Sequence, residues 1–548
     1  MKTVICALNS KYIHSSLAPW YLLAAVNDKD CCVIEGTINE SLDAVYERIT
    51  SNNPSTVAFS TYIWNKQSVL SLAERLKREK NVTIILGGPE VSYNPREILE
   101  NHQFADIVIS GEGEEPFADI YRGKPLEEID GICYKKSGDV VIKPPFVSKN
   151  DPPNPYTKEY MEALNGRIAY LETSRGCPFS CAFCLSGRCG GVRFFDLEQA
   201  KRNIILLANS GTKTVKFIDR TFNADKKRAR ELFEFIIQRR RVDIPDNVCF
   251  HFEIEGELLD ESTFSVLKKA PVGLFQFEIG IQSFNEETLN GINRRCNIEL
   301  LCENISRLVS MENIHIHIDL IAGLPFETFE SFRDSFNKAY RLNANMLQLG
   351  FLKILHGADL EVRTEEQKCE FSHTPPYEII SNAWISEKEI KMLKGLEEVV
   401  ERLYNSSRFA LTCKYLCSVY KTPFDAYFGL AQALGEEIAQ GITLDDFTLL
   451  VYRYYSSESS VDKSKLRDAL AIDRLATNRM GALPDFLKVK CKDLKKILCD
   501  LDKNETTKRA KNVKRSATPL LSENKVAYVD YDHRDYLTNR FLVKFTKL

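Results

Sequence analysis

The sequence lacks the features that would tie it to a membrane, to secretion or to nucleic acid. No charge-free apolar run approaches the roughly 20 residues that a membrane helix needs. The first residues turn polar too early for a signal peptide. The net charge is only −3 over 548 residues, so we expect neither nucleic acid nor a membrane as a partner. The basic segment 508–515 is interpreted as a solvated loop.

Cysteine, in contrast, is plentiful, with 16 residues in the chain. Without a secretion signal, these cysteines indicate a reducing compartment, and we expect the protein to be cytoplasmic. Most of them are scattered among apolar residues, where a thiol packs as a small hydrophobic group. Four lie together between positions 177 and 189, among glycines. This clustered group is therefore the candidate for metal binding.

The chain is long enough for about two to four domains, and its patterning predicts an α/β protein in three parts. In 1–125, short apolar runs alternate with helical segments, which predicts a Rossmann-like sheet in a flavodoxin-like arrangement. Residues 126–166 predict a hairpin and a proline-rich linker. Residues 167–356 contain six more strand–helix steps, typical of a partial (β/α)6 barrel. Residues 357–548 predict an α-helical C-terminal domain that ends in a hairpin.

Three of the predicted barrel strands have one polar face. Polar residues and glycine alternate with large apolar residues along them, as His251, Glu253 and Glu255, as Glu278, Gly280 and Gln282, and as His315, His317 and Asp319. If helices cover the outside of the sheet, the polar face lines the barrel and forms a site for a large polar ligand. The alternative is an antiparallel sheet wetted on one side. The intervening helices favour parallel strands.

The clustered cysteines directly follow the first barrel strand. Cys177, Cys181 and Cys184 have the spacing C-x3-C-x2-C, at the end of the barrel where such folds place their chemistry. Three thiolates can hold three irons of a [4Fe–4S] cluster and leave the fourth iron open. The alternative is a structural zinc, or a fully ligated cluster with Cys189 as fourth ligand. Zinc sites prefer two well-separated C-x2-C pairs, which this loop lacks. Cys189 is interpreted as a packed or incidental thiol, and a functional role for it stays open.

This spacing, with an aromatic residue before its last cysteine, resembles the radical S-adenosylmethionine (SAM) enzymes. The resemblance implies that the open iron binds SAM and that the cluster cleaves it to methionine and a 5′-deoxyadenosyl radical. It also implies a low-potential electron donor such as ferredoxin or flavodoxin. Further motifs of the family match FIDRTF, EIGIQS and INR, in positions 217–222, 278–283 and 292–294. The SAM contacts that the resemblance implies are Phe183, Asp219, Glu278, Gln282 and Arg294.

The first domain resembles the cobalamin-binding domain of one branch of that family. It has GGPE and GEGE, starting at Gly87 and Gly111, where predicted strands end. The cobalamin contacts that this resemblance implies are Asn9, Ser60, Thr61, Gly87, Gly88, Gly111 and Glu112. The motif D-x-H-x-x-G, which supplies a histidine below cobalt, is missing, and His14 is out of register for it. We therefore expect cobalamin without a histidine on cobalt, and His14 in a hydrogen bond.

The resemblance covers roughly residues 1 to 360, and the remainder resembles a helical domain of unknown function that occurs in one subgroup. We predict an enzyme that methylates an unactivated carbon of an unknown small molecule, with a [4Fe–4S] cluster, SAM and cobalamin. One alternative is a radical cyclisation or rearrangement without methyl transfer. Another is a non-catalytic iron–sulfur redox or sensor protein. No catalytic residue beyond the cofactor contacts is predicted.

Overall fold

The computed structural model describes residues 2–435, 441–478, 483–504 and 516–548, so the basic segment 508–515 lies outside the described residues. The chain folds as two compact units. The first unit comprises Met1–Lys269, Ile292–Arg294 and Lys353–Ile379. The second comprises Ala270–Gly291, Arg295–Leu352 and Ile380–Leu548. In the described part of the chain, no helix is both long enough and apolar enough to cross a bilayer.

The first unit opens with a twisted sheet whose parallel strands lie in the order 2-1-3-4-5, which is the flavodoxin-like order predicted from the sequence. Two antiparallel strands extend this sheet beyond β5, as the predicted hairpin requires. The strands are β1 (Thr3–Asn9), β2 (Cys31–Thr37), β3 (Thr56–Ser60), β4 (Thr83–Gly87), β5 (Ile107–Ile109), β6 (Ile132–Lys136) and β7 (Asp139–Val141).

Helices cover this sheet, and two separate clusters of buried apolar side chains fill the space beneath them. Helix α3 shows the reason: Val69, Leu72 and Leu76 recur at helical spacing and are buried against the sheet. The helices are α1 (Ala18–Val26), α2 (Leu42–Thr50), α3 (Lys66–Lys80), α4 (Pro89–Ser92), α5 (Pro95–Asn101), α6 (Glu114–Tyr121) and, in the linker, α7 (Lys158–Leu164).

Six parallel strands follow, three in each unit. In the first unit, β11 pairs with β8 and β12; in the second, β14 pairs with β13 and β15. The antiparallel alternative for these strands is therefore wrong. The strands of this region are β8 (Ala169–Leu171), the short β9 (Ser174–Arg175) and β10 (Arg193–Phe194), β11 (Thr214–Phe217), β12 (Cys249–Glu253), β13 (Phe275–Gln282), β14 (His315–Ala322) and β15 (Met346–Phe351).

The polar alternation of β13 corresponds to an alternation in burial. Along β13, Phe277, Ile279 and Ile281 are fully buried, whereas Glu278 and Gln282 on the other face are half-buried. One face thus packs on apolar side chains and the other stays polar, as the period of two predicts. The helices of this region are α8 (Leu197–Ala208), α9 (Lys226–Arg239), α10 (Glu261–Leu267), α11 (Glu286–Gly291), α12 (Ile298–Ser310) and α13 (Phe329–Arg341).

The C-terminal region is mainly helical, as predicted. Helix α14 begins at a capping box between Ser386 and Glu389. The predicted terminal hairpin is confirmed, since β19 and β20 pair antiparallel. The elements are β16 (Glu370–Phe371), β17 (Ile379–Ser381), α14 (Glu387–Val400), α15 (Ala410–Val419), α16 (Pro423–Leu434), α17 (Leu444–Ser457), α18 (Lys463–Thr477), α19 (Leu494–Asn504), β18 (Ala517–Pro519), β19 (Lys525–Arg534) and β20 (Phe541–Lys547).

Candidate functional site

The carboxyl edge of the first sheet leaves two hydroxyl groups without a partner. Ser60 ends β3 and Thr61 follows it; both are buried, and neither side-chain oxygen has a hydrogen-bond partner among the described residues. Gly88 lies against this pair with a φ of +105°, and a Cβ there would stand 2.5 Å from the Thr61 carbonyl oxygen. A Cβ on Gly87 would meet only Ile109, at 3.9 Å. Unpaired donors beside bare backbone fit a large polar cofactor such as cobalamin.

The side chain of Asn9 is held by a buried carboxylate. Its amide nitrogen donates to Glu35 Oε2 over 2.8 Å. The same carboxylate accepts from Trp20 Nε1 and from Arg167 Nη1, over 2.8 and 2.9 Å. Glu35 therefore fixes Asn9 and the loop after β1. The contact of Asn9 with cobalamin stays a prediction.

His14 forms the hydrogen bond that the sequence predicted for it. Its Nδ1 lies 2.7 Å from the hydroxyl of Tyr170 on β8. Burial lowers the pKa of His14, which favours the neutral imidazole. One ring nitrogen is thus engaged within the protein, and the expectation that cobalt receives no histidine from this loop stays a prediction.

Two aromatic side chains beside Ser60 escaped the sequence analysis. Tyr62 and Trp64 stack with centroids 4.6 Å apart, and Trp64 is 44% exposed. The side chain of Asn65 holds the turn, since it donates to the Leu8 and Ser60 carbonyls over 3.0 Å each. The signal was the run TYIWN directly after β3, which offers a flat apolar surface at the predicted cobalamin edge.

Gly111 and Glu112 contact neighbouring protein segments. Gly111 has a φ of +88°, and a Cβ there would collide with the Phe146 backbone. Glu112 Oε2 accepts from Arg175 Nη1 over 2.8 Å and from Arg193 Nη2 over 2.7 Å. The predicted cobalamin contact of these two residues is therefore one that backbone atoms would make, and it stays a prediction.

The predicted cluster ligands lie on a hairpin, which we call the cysteine hairpin (residues 174–194). Its strands β9 and β10 pair antiparallel, Arg193 with Arg175. At its base Gly176, with a φ of +91°, approaches the Gly191 carbonyl so closely that no Cβ fits. Cys177, Cys181 and Cys184 are half-buried free thiols between these strands. The side chain of Cys189 lies outside the described part of the chain.

Each of the three thiols has a polar neighbour. Cys177 Sγ lies 3.3 Å from Thr221 Oγ1, and Cys184 Sγ accepts from the Ser186 backbone over 3.4 Å. Cys181 Sγ accepts from Arg294 Nη1 at 3.9 Å. Among the described residues, no group of three histidine, cysteine or acidic side chains is close enough to hold one metal ion. In a [4Fe–4S] cluster each thiolate binds a different iron, and three thiols on one loop are a suitable donor set for it.

Asp219 supports the segment that leads into the cysteine hairpin. It is 1% exposed and accepts hydrogen bonds from the Thr173 backbone, the Thr173 hydroxyl and the Ser174 hydroxyl, over 3.0, 2.7 and 2.6 Å. Burial raises the pKa of Asp219 to about 6, while these hydrogen bonds act in the opposite direction. The contacts seen for Asp219 are therefore with protein, and its contact with SAM stays a prediction.

Arg294 lies beside the cysteine hairpin. Its Nη2 is 2.9 Å from Glu255 Oε2, while Glu255 Oε1 is buried without a partner among the described residues. The segment 292–294 also contacts the hairpin through its backbone, because the Ala182 N–H donates to the Ile292 carbonyl. Burial raises the pKa of Cys181, and the Arg294 guanidinium lowers it. Phe183, the remaining predicted contact here, is half-buried on the same loop.

Gln282 shows the strongest local distortion among the predicted SAM contacts. It lies in the second unit at a bulge of β13, with a φ of +72°. Its Oε1 is buried and has no partner among the described residues. A left-handed conformation is costly for a residue with a side chain, and such distortion is typical of functional sites. Glu278 lies on the same polar face, and its SAM contact stays a prediction.

Three family models match successive parts of the chain. The B12 binding domain matches residues 3–121, and the radical SAM superfamily matches residues 171–339. A protein of unknown function, DUF4080, matches residues 365–540. A radical SAM domain implies a [4Fe–4S] cluster and SAM, and a B12-binding domain implies cobalamin. The three cofactors predicted from the sequence are therefore confirmed at the level of the domains.

Two curated proteins illustrate the range of relatives. The cobalamin-dependent radical SAM methyltransferase TokK of Streptomyces tokunonensis is 26% identical over 337 residues, which cover 57% of this chain and 48% of TokK. The anaerobic magnesium-protoporphyrin IX monomethyl ester cyclase of Rubrivivax gelatinosus is 24% identical over 341 residues, which cover 58% of this chain and 60% of the cyclase. The chain thus spans about half the length of TokK.

A solved structure shares the fold over most of the chain. The cobalamin-dependent SAM radical enzyme OxsB, solved with aqua-cobalamin and SAM bound, matches with a TM-score of 0.59 and 12% identity, over 94% of this chain and 82% of OxsB. At this identity the similarity shows the fold. The chain thus matches a B12 binding domain, the radical SAM superfamily and DUF4080 in that order, which is the combination of domains that its motifs predicted.

Proposed function

We propose that the protein is a radical SAM enzyme that methylates an unactivated carbon of a small-molecule substrate with the help of cobalamin. The observation that supports this most directly is the content of the first compact unit. That unit contains both the cysteine hairpin and a sheet edge with unpaired hydroxyls beside bare glycine backbone. The similarity to TokK, a methyltransferase by name, supports methyl transfer.

The residues proposed to hold the cofactors fall into three groups. When bound, the cluster supplies the electron that cleaves SAM, and cobalamin carries the methyl group. The cluster ligands are Cys177, Cys181 and Cys184. The proposed SAM contacts are Phe183, Asp219, Glu278, Gln282 and Arg294. The proposed cobalamin contacts are Asn9, Ser60, Thr61, Gly87, Gly88, Gly111 and, through its backbone only, Glu112.

The charge of Arg294 suits the carboxylate of SAM. A guanidinium pairs with a carboxylate through two parallel hydrogen bonds. In the structure Arg294 Nη2 binds Glu255 and Nη1 lies 3.9 Å from Cys181 Sγ, so a pair with SAM would replace the long contact with Cys181. Glu255 is 6% exposed, so it holds the guanidinium in one place with little competition from water.

The proposed reaction needs an electron from outside the chain. A low-potential ferredoxin or flavodoxin is the proposed donor, since a [4Fe–4S] cluster of this class works at low potential. A chemical reductant replaces this donor in the test, so that the identity of the donor does not affect the result.

The test uses full-length protein that is reconstituted anaerobically with iron, sulfide and hydroxocobalamin and then reduced with titanium citrate. It is incubated with SAM that has a deuterated methyl group, and products are measured by mass spectrometry. We expect 5′-deoxyadenosine, and we expect the labelled methyl group on cobalamin. This readout needs no knowledge of the substrate.

The second candidate is a radical cyclisation or rearrangement without methyl transfer. The similarity to the protoporphyrin cyclase favours it. The same experiment separates the two candidates: 5′-deoxyadenosine with no label on cobalamin supports the second. If neither product forms from cluster-loaded protein, both are contradicted, and a redox or sensor role gains support.

A further inference from the structure

Two carboxylates that follow β5 form ion pairs with the base of the cysteine hairpin. Glu112 lies in the turn before α6, and Glu114 is the first residue of α6. Arg175, on the first strand of the hairpin, binds Glu112 Oε2 through Nη1 over 2.8 Å and Glu114 Oε1 through Nη2 over 2.6 Å. Arg193, on the second strand, binds Glu112 Oε2 through Nη2 over 2.7 Å. A single oxygen of Glu112 thus accepts from both strands of the hairpin.

These ion pairs are shielded from solvent. The side chains of Glu112 and Glu114 are each 11% exposed, and that of Arg175 is 17% exposed. Glu172 completes the group, since both of its carboxylate oxygens lie 3.0 Å from Arg175 nitrogens. Burying ion pairs gains little net stability, because desolvation offsets the attraction. What such a group supplies is a fixed geometry, and breaking one partner leaves a buried charge unpaired.

The ion pairs of Arg175 lie very close in sequence to the first predicted cluster ligand. Only Gly176 separates Arg175 from Cys177, and its backbone is locked by the close approach to Gly191. The backbone of Glu112 is itself held in place, because its N–H donates to the Phe146 carbonyl over 2.8 Å. The position of the guanidinium therefore determines where the loop with the three thiols begins.

We propose that Glu112 is a positioning residue for the iron–sulfur cluster: its carboxylate fixes both strands at the base of the cysteine hairpin. Glu114 acts with it on Arg175. The side chain of Glu112 thereby serves the cluster, whereas its motif alone suggested cobalamin. This inference rests on the proposed function in one respect, namely that Cys177, Cys181 and Cys184 hold the cluster.

The test compares wild-type protein with Glu112→Gln, both full-length and reconstituted anaerobically. The rate of iron release to a ferrous chelator is measured, together with the cobalamin content and the electron paramagnetic resonance spectrum of the reduced cluster with and without SAM. We expect iron release to be roughly tenfold faster and the SAM-dependent spectral change to be smaller, since the hairpin opens more often. We expect unchanged cobalamin content.

Glu115→Gln is the matched control. Glu115 lies three residues further on, is exposed, and accepts one hydrogen bond, from the Ser148 hydroxyl. The substitution removes the same charge at nearly the same place, so iron release at the wild-type rate is expected. Equal acceleration by both substitutions would show a general charge effect and overturn the proposal.

A second variant, Arg193→Gln, keeps the proposal testable if Glu112→Gln does not fold. It is expected to accelerate iron release, and the double variant is expected to show less than the sum of the two effects, because both break one contact. Loss of cobalamin from Glu112→Gln with wild-type iron release would overturn the proposal and make the Glu112 side chain a cobalamin contact. Wild-type protein that takes up no cluster would instead contradict the proposed function itself, and with it this inference.

Discussion

The two cofactor regions of the first unit treat their polar groups in opposite ways. At the edge of the first sheet, the Ser60 and Thr61 hydroxyls have no partner among the described residues, and only Ile109 would contact a Cβ on Gly87. Around the cysteine hairpin, the carboxylates of Asp219 and Glu112 accept hydrogen bonds from protein donors. The sheet edge is thus preformed for a ligand, whereas the hairpin is held in place by its surroundings. A site on rigid strands can leave its groups open, and a site on a loop needs support.

The largest expected effect is the loss of iron from the cysteine hairpin while the sheet edge still binds cobalamin. Replacing Cys177, Cys181 and Cys184 together by alanine removes every predicted cluster ligand. We expect bound iron to fall to background after anaerobic reconstitution while cobalamin binding persists, as measured by iron analysis and visible absorption. The control is Cys302→Ala, since Cys302 belongs to helix α12 and not to the cysteine hairpin, and its substitution should leave the iron content unchanged. Wild-type iron content in the triple variant would refute the cluster assignment.

The next effect tests whether the sheet edge is preformed. Gly88→Ala places a methyl group against the Thr61 carbonyl at a φ of +105°. We expect cobalamin affinity to fall about tenfold or more and the free energy of unfolding to fall by about 2 kcal/mol or more. Gly138→Ala is the matched control, because Gly138 has a φ of +95° but no atom near a Cβ. It should cost only about 1 kcal/mol and leave cobalamin binding unchanged. Equal losses in both variants would contradict the close approach.

A pH experiment tests how firmly the hairpin is supported. Burial raises the pKa of Asp219 from 3.8 to about 6. The folded state therefore holds this proton more tightly than the unfolded state, so its contribution to the free energy of unfolding is lost as pH rises from about 4 to 6, by about 3 kcal/mol. Asp219→Asn should lack this part of the pH dependence in denaturant unfolding, whereas the exposed Asp130→Asn should keep it. Identical pH profiles for wild type and Asp219→Asn would contradict the assignment.

The smallest expected effect is a difference in the free energy of unfolding between two serine variants, Ser60→Ala and Ser92→Ala. Ser60→Ala removes an unpaired buried hydroxyl, so the free energy of unfolding without cobalamin should stay constant or rise by up to about 1 kcal/mol, while cobalamin affinity falls a few-fold. Ser92→Ala removes a hydroxyl that donates to the Gly88 carbonyl over 2.8 Å, and should cost about 1 kcal/mol. Thermal denaturation with and without cobalamin measures both. Equal destabilisation would show that Ser60 has a protein partner after all.

Local patterning predicted the elements well, because hydrophobic period is a property of neighbouring residues. The alternation in β13 predicted which side chains are buried, and the βα repeats predicted the order of the first sheet. The contacts that hold the site could not be predicted from the sequence, because they join residues far apart in the chain. Arg175 and Glu112 are 63 residues apart, and Thr173 and Asp219 are 46 apart. No pattern in one sequence says which distant charges will meet.

The same limit explains why the motifs did not reveal the protein contacts of two residues. GEGE and FIDRTF point to cofactor contacts at Glu112 and Asp219, but a motif records residue types and not the direction of a side chain. The left-handed backbone of Gln282 could not be predicted either, because it occurs at a shift in the pairing of β13 with β14. These positions are where local rules fail, as is common at functional sites.

The shielding of the charges around Arg175 has a practical consequence for handling the protein. Dissolved ions at 1 M screen exposed charges over about 3 Å, but they reach a group that is only 11–17% exposed much less. Washing in molar salt should therefore strip loosely adsorbed proteins and nucleotides without releasing iron. Iron retained through such a wash, measured against a wash in dilute buffer, would make high ionic strength the preferred condition for anaerobic purification.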